Sequence, residues 1–350
     1  MIKDIRLGNR VLGLEQPVFI SAEVGTTCNG DFETAKKLIK AAKDAGMDAV
    51  KFQILDPLDK YSDHSLTYTY KRFNGEEVTE NFIEMLKKYV QPKENWRALK
   101  EYADELGIIM FATPDHMAAV DLMEELGMPA YKVATWDVTW YPFLRKIACT
   151  KKPVVLDFGA SDKEEIARIL KIFEEEGNDQ LILLHCYHTN DFAQMNIRTV
   201  EYLREAFGHL SGYSADDANH DLDFMSLPYR PVYIEKRLTL NREDPNHHHG
   251  KAAQPEEMVA YVQRIHELSK ARGVFDVRPT EGDLRDKFKY FRRIVVYRDL
   301  KAGETLTEEN TMCKRPLQGG VDPQYLPLFL GRTVKRAMKE NEPVQWVDLE

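Results

Sequence analysis

Residues 17–53 read PVFISAEVGTTCNGDFETAKKLIKAAKDAGMDAVKFQ, and the order of textures in this stretch decides the fold. A β-rich run from Pro17 to Val24 carries Glu23 near its end. Asp31 is suited to cap a helix. In that helix Ala35, Leu38, Ile39, Ala42 and Ala45 fall at helical spacing, and Gly46 stops it. A second β-rich run, AVKFQ, then carries Lys51 and Gln53. The texture recurs along the chain. IIMFATPD (108–115) ends on Thr113 and Asp115, and AYKVAT (130–135) carries Lys132 and Thr135. VVLDFGAS (154–161) carries Asp157, and LILLHC (181–186) carries His185. GYSADD (212–217) runs through Ser214 to Asp216, and VYIEKRL (232–238) holds Glu235, Lys236 and Arg237. Eight short β-rich runs with amphipathic helical segments between most of them predict a (β/α)8 TIM barrel. Its active site is expected at the carboxyl ends of the strands.

RLGNRVLG, near the N-terminus, reads as a hairpin closing the barrel floor. Residues 54–80 form a long polar and aromatic excursion after the second strand, and long βα loops in barrels are usually functional. The last barrel helix is EEMVAYVQRIHELSKARG. Helical periodicity breaks after Gly273, so residues 1–273 are assigned to the barrel. Residues 274–293 read as an irregular linker, and 294–350 as a small β-rich domain with KAGE and KENEP turns. A piece of that size is marginal alone and should lean on another surface.

The 350 residues include 43 % hydrophobic and 30 % charged residues, ordinary for a soluble globular protein. Net charge is −9 with no basic run, which argues against nucleic-acid binding. The apolar runs are strand-sized, too short to span a membrane. The four cysteines lack CxxC spacing, and the N-terminus lacks the apolar core of a secretory signal; together these point to a reducing cytoplasm.

Lys51 and Lys132, on the second and fourth strands, are expected to face each other across the barrel mouth. Crowded ammonium groups call for an anion, either a phosphate or carboxylate substrate or a nearby carboxylate such as Glu23. Thr113, Thr135 and Ser214 supply short hydroxyls suited to anion oxygens. Glu23 could orient a lysine or accept a proton. His185 reads either as a buried, hydrogen-bonded histidine or, with Asp216 on the next strand, as part of a site for Mn²⁺ or Mg²⁺. The tract His247-His248-His249 reads chiefly as a loop touching the mouth.

AEVGTTCNGDFETAKKLIKAAKDAGMDAVKFQ resembles the opening of the sialic acid synthases, which condense phosphoenolpyruvate with amino sugars to make N-acetylneuraminate and related nonulosonates. The resemblance continues through FATPD, AYKVATWDVTWYPFLRKIA, KKPVVLDFGASDKEEI, LLHC, GYS and IEKRLTL. It then enters DLKAGETLTEENTMCKRPLQGGVDPQYLPLFLGR, which is similar to the family's antifreeze-like SAF domain. The resemblance implies a divalent metal (Mn²⁺ or Mg²⁺) that polarises the sugar aldehyde, attack by C3 of phosphoenolpyruvate, and loss of phosphate. Carried over by position, Lys51, Lys132, Thr113, Thr135 and Ser214 would hold phosphoenolpyruvate, and Glu23 would be the acid/base or orienting carboxylate. His185 and Asp216 would bind the metal. Gln53, Asp157, Asn190 and Arg237 would line the substrate pocket. Arg315 would reach into a partner subunit's site, because the family forms a domain-swapped homodimer.

The chain departs from the family pattern at the mouth. Asp216 stands where the family has a metal-binding histidine. Asp157 stands where it has a phosphate-contacting serine, and a carboxylate there repels phosphate unless protonated, metal-bound or turned away. Arg237 replaces a histidine, and the segment after Cys186 is shortened. Two other functions remain open on the residues: a lysine Schiff-base aldolase or lyase on pyruvate using Lys132 or Lys51, and a non-catalytic sugar-binding relative.

Overall fold

The computed structural model describes residues 2–189, 191–214, 220–315 and 319–350. Strands β1 (Ile5–Leu7) and β2 (Arg10–Leu12) pair antiparallel as the expected hairpin. β3 (Phe19–Glu23) opens the barrel and is followed by the helix Phe32–Asp44, which buries Ala35, Leu38, Ile39 and Ala42. Asp31 caps that helix, its side chain accepting from the Thr34 N–H at 2.7 Å. β4 (Ala49–Ile54) completes the first βαβ unit. The excursion after β4 folds partly into an antiparallel pair, β5 (Thr67–Lys71) and β6 (Glu77–Asn81). The remaining barrel strands are β7 (Ile109–Pro114), β8 (Tyr131–Val133), β9 (Val154–Phe158), β10 (Leu181–His185), β11 (Leu210–Ser214) and β12 (Tyr233–Arg237). Going round, the order is β3-β4-β7-β8-β9-β10-β11-β12, with every pair parallel and β12 closing onto β3.

The chain divides into two compact units, Met1–Gly273 and Val274–Glu350. In the second, β13 (Arg293–Val296) pairs with β14 (Thr311–Lys314). Its own core gathers Ile294, Val296, Leu306, Phe329, Val334 and Val344. One expectation is corrected here. Part of the segment read as an irregular linker is a helix, Glu281–Tyr290, with a capping box between Thr280 and Asp283. None of its residues is buried, so the apolar periodicity that would have announced it is absent. Among the described residues, no helix is long and apolar enough to cross a membrane.

Side chains alternate between the barrel interior and the helix layer. The floor is one apolar cluster in which Phe19, Ala49, Phe111, Val155, Ile182, Leu184, Leu210 and Tyr233 pack together above Ile5, Leu7 and Leu12 of the hairpin. Outside, Ile20, Val50, Met110, Leu156, Leu183 and Ile234 pack against the helices. The inward positions next above the floor are therefore Lys51, Thr113, Lys132, Asp157, Cys186 and Glu235. The strand register also sets Glu23 beside Lys51 and Arg237.

Candidate active site

Above its apolar floor the barrel holds a buried network of ions. The Lys51 ammonium pairs with Glu23, lies 3.5 Å from Glu235 Oε1, and donates to Thr113 Oγ1 at 3.3 Å. Lys132 lies 2.9 Å from Asp157 Oδ2 and 3.2 Å from both oxygens of Glu235. Glu235 thus bridges the two lysines, and it also accepts from the Tyr233 hydroxyl at 3.0 Å. All five ionised side chains are buried. Charges so removed from water persist only when paired. Each lysine has found carboxylates, and Glu23 is the partner of Lys51 that the sequence suggested.

Glu23 is held from several sides. Its Oε1 accepts from the Gly25 N–H at 2.9 Å and from Gln53 Nε2 at 3.2 Å. Gly25 permits this because a Cβ there would come within 2.6 Å of the Gln53 nitrogen. The Arg237 guanidinium lies 4.0 Å from the same carboxylate and donates to Thr26 Oγ1 at 3.3 Å. Thr26 in turn meets His248 Nδ1 at 2.9 Å. The His tract therefore reaches the mouth through hydrogen bonds. His249 is fixed by Thr239 at 2.7 Å and by Asn29 at 3.1 Å, and His247 packs against Tyr68 and Tyr70.

Burial favours neutral forms here, and the lysines oppose it for the acids. Burial pulls Glu235 upward, but Lys132 and Lys51 outweigh it and hold the group at about 2. For Asp157 burial prevails over Lys132, and Glu235 adds to it, so its carboxyl is raised. Burial would lower Lys132, yet Asp157 and Glu235 keep its ammonium raised and charged.

The two strand-end hydroxyls beside the network are buried. Thr135 Oγ1 has no hydrogen-bond partner among the described residues. Ser214 faces the Cys186 thiol, which burial pushes well above its ordinary range. Gly159 closes this wall, since a Cβ there would meet the Cys186 carbonyl oxygen at 2.2 Å, Thr135 Oγ1 at 3.0 Å and His188 Nδ1 at 3.1 Å. Three residues in this network were not assigned a role from the sequence: Glu235, Tyr233 and Cys186. Period-two alternation was the available signal, because it puts Glu235 on the face of Arg237 and Lys236 on the other. Lys236 indeed faces the helix layer, in a fully buried pair with Asp223 at 2.6 Å.

His185 lies apart from the lysine network. It shares the parity of Leu181 and Leu183, so its ring turns outward. It lies against Tyr187 and Tyr213, at centroid distances of 4.2 and 5.6 Å, with Nε2 2.6 Å from the Met195 carbonyl oxygen. Burial lowers its pKa to about 4. The ring sits in the outer layer, with Nε2 on the Met195 carbonyl oxygen and Nδ1 buried without a hydrogen-bond partner among the described residues. Asp216 and Asn190 lie outside the described residues. Arg315 follows β14 in the second unit and is exposed. Among the described residues no group of three or more His, Cys, Asp or Glu side chains is arranged to hold a metal ion. The converging carboxylates are occupied by lysines, and Asp216, the other expected ligand, lies outside the described residues.

A closed parallel barrel with buried ionisable groups at the carboxyl ends of its strands, over an apolar floor, is the architecture of a barrel enzyme. The NeuB family model matches residues 38–276 and the SAF domain model residues 291–350. The chain belongs to the NeuB family and carries an SAF domain. It is 33 % identical over 351 residues to an uncharacterized protein of Methanocaldococcus jannaschii, with 99 % of each chain covered. It is 28 % identical over 330 residues to the N,N'-diacetyllegionaminic acid synthase of Campylobacter jejuni, covering 93 % of this chain and 98 % of that one. The crystal structure of the N-acetylneuraminic acid synthetase of Leptospira borgpetersenii, in complex with citrate, matches in fold. Its TM-score is 0.73 at 24 % identity, covering 82 % of this chain and 95 % of that one.

Proposed function

We propose that the protein condenses phosphoenolpyruvate with the open-chain form of an N-acetylated hexose, giving a nine-carbon 2-keto-3-deoxy sugar acid and phosphate. The observation that carries this is the meeting of two buried lysines, from the second and fourth barrel strands, on one carboxylate, Glu235. With Arg237 they supply the cationic groups that a small, highly charged anion would draw away from their resident carboxylates. In the reaction C3 of phosphoenolpyruvate bonds to the sugar's carbonyl carbon, whose oxygen takes a proton. Water adds at C2 and the C2–O bond to phosphate breaks. Lys51 and Lys132 hold the phosphate and carboxylate and stabilise charge as it moves to the leaving group. Glu23, fixed by Gln53 and the Gly25 N–H, is set to orient the acceptor and manage its proton. The tight barrel floor excludes water from below.

The C. jejuni relative makes a legionaminic acid, a nonulosonate, which supports a nine-carbon product. A Schiff base on Lys132 is disfavoured because a nucleophilic amine must be neutral, and Asp157 and Glu235 hold this one charged. The domain-swapped dimer and a partner's use of Arg315 belong to the same proposal. The test is phosphate release from phosphoenolpyruvate across a panel of N-acetylated hexoses and 6-deoxyhexoses, with Mn²⁺, Mg²⁺ or chelator, and mass detection of the keto acid. Release with one sugar identifies the acceptor, and the chelator arm decides the metal requirement. Silence with every sugar, together with borohydride trapping of pyruvate on the protein, overturns the proposal in favour of imine chemistry.

A further inference from the structure

Among the described residues the ion network is balanced before any substrate arrives. Lys51, Lys132 and Arg237 face Glu23, Asp157 and Glu235, three cations against three carboxylates. Phosphoenolpyruvate brings about three further negative charges at pH 8, since a phosphate monoester loses its second proton near pH 6. Adding them to a neutral, buried cluster is strongly unfavourable unless protons come too.

The geometry marks where one proton goes. Asp157 Oδ2 is held by Lys132 at 2.9 Å, but Oδ1 is buried and has no hydrogen-bond partner among the described residues. An ionised oxygen left so is costly, whereas a protonated one can donate. Asp157 stands two residues before Gly159, whose wall carries the unpartnered Thr135 hydroxyl. We propose that Asp157 takes up a proton from solvent as the anionic substrate enters, and that Oδ1 then donates a hydrogen bond to a substrate oxygen. This rests on the phosphoenolpyruvate function proposed above.

The groups facing Asp157 agree with the assignment. Lys132 on β8 and Lys51 on β4 oppose protonation, while Glu235 on β12 and the burial of the site favour it. The Cys186 thiol on β10 is neutral and Ser214 on β11 carries no charge. Glu235 is the worse proton acceptor, because two lysines and the Tyr233 hydroxyl stabilise its charge. Asp157 thus acts as a carboxylic acid in the complex, where the related family uses a serine hydroxyl. Affinity for the anion then becomes pH-dependent.

The test is titration calorimetry of the full-length protein with phosphoenolpyruvate alone, at pH 8, in buffers of different ionisation enthalpy such as HEPES and Tris. The wild type should take up a proton on binding, and its dissociation constant should rise with pH, by at most about tenfold per pH unit. Asp157→Asn should bind without that uptake and with an affinity nearly flat in pH. Asp157→Ser should behave likewise if the amide variant folds poorly. Binding by the wild type without proton uptake overturns the inference, as does the same uptake in Asp157→Asn, which would put the proton on the phosphate. No binding of phosphoenolpyruvate by the wild type overturns the proposed function, and this inference with it.

Discussion

Replacing Glu235 by Gln should make the protein less stable and the anion site tighter. The side chain is nearly isosteric, so the change is chiefly one of charge. Glu235 sits at about 2 in the fold against an ordinary 4.5, a difference worth about 3 kcal/mol of stability at neutral pH. The sign follows from the depressed value. The contribution is fully present above pH 4.5, and is lost as pH falls toward 2. At pH 3 about two-fifths of it remains. Glu235→Gln should therefore lower the melting temperature of the barrel unit by roughly 5–10 °C at pH 7, with the gap from wild type narrowing toward pH 3. The same substitution frees Lys51 and Lys132 from one competing carboxylate, so phosphoenolpyruvate should bind several-fold more tightly. Thermal melts across pH, with calorimetric binding at pH 7.5, measure both. A variant as stable as wild type at pH 7, or one that binds the anion more weakly, would refute the view of Glu235 as a counter-ion that substrate displaces.

Lys132→Met should weaken phosphoenolpyruvate binding by about 10–100-fold through loss of a charge-assisted contact, read by calorimetry against the unchanged melting behaviour of the second unit. His185→Phe should cost about 1 kcal/mol in stability, through the Met195 carbonyl bond, and leave kcat, KM and any metal requirement unchanged. A lost metal response in that variant would restore His185 as a ligand. Asp223→Ala removes the carboxylate 2.6 Å from the buried Lys236 ammonium and should destabilise the barrel by about 3–5 kcal/mol, seen as a fall in urea midpoint, with KM for phosphoenolpyruvate unaltered.

The barrel was legible in the chain because its signals are local. A strand of alternating faces, an Asp31 cap and an apolar stripe at Leu38, Ile39 and Ala42 are set by neighbours a few residues apart, and they hold wherever the segment sits. The polar residues at strand ends likewise announced that the mouth is charged. The helix Glu281–Tyr290 was missed for the converse reason: it is capped but buries nothing, so it leaves no apolar period. The face of His185 was not legible because a residue type at a strand end does not reveal it. The count from the apolar floor does, and Leu184 rather than His185 points inward.

What the sequence by itself determined was the succession of elements, the hairpin under the barrel and the pool of ionisable groups at the strand ends. What only the tertiary structure decided was which of those groups meet. Lys51 and Lys132 are 81 residues apart and Glu235 lies 103 residues beyond Lys132. They share one network because barrel closure brings β12 back to β3 and tilts every strand so that equivalent inward positions converge. Pairing across such separations depends on closure, register and burial together, and none of these is a property of a short stretch of chain.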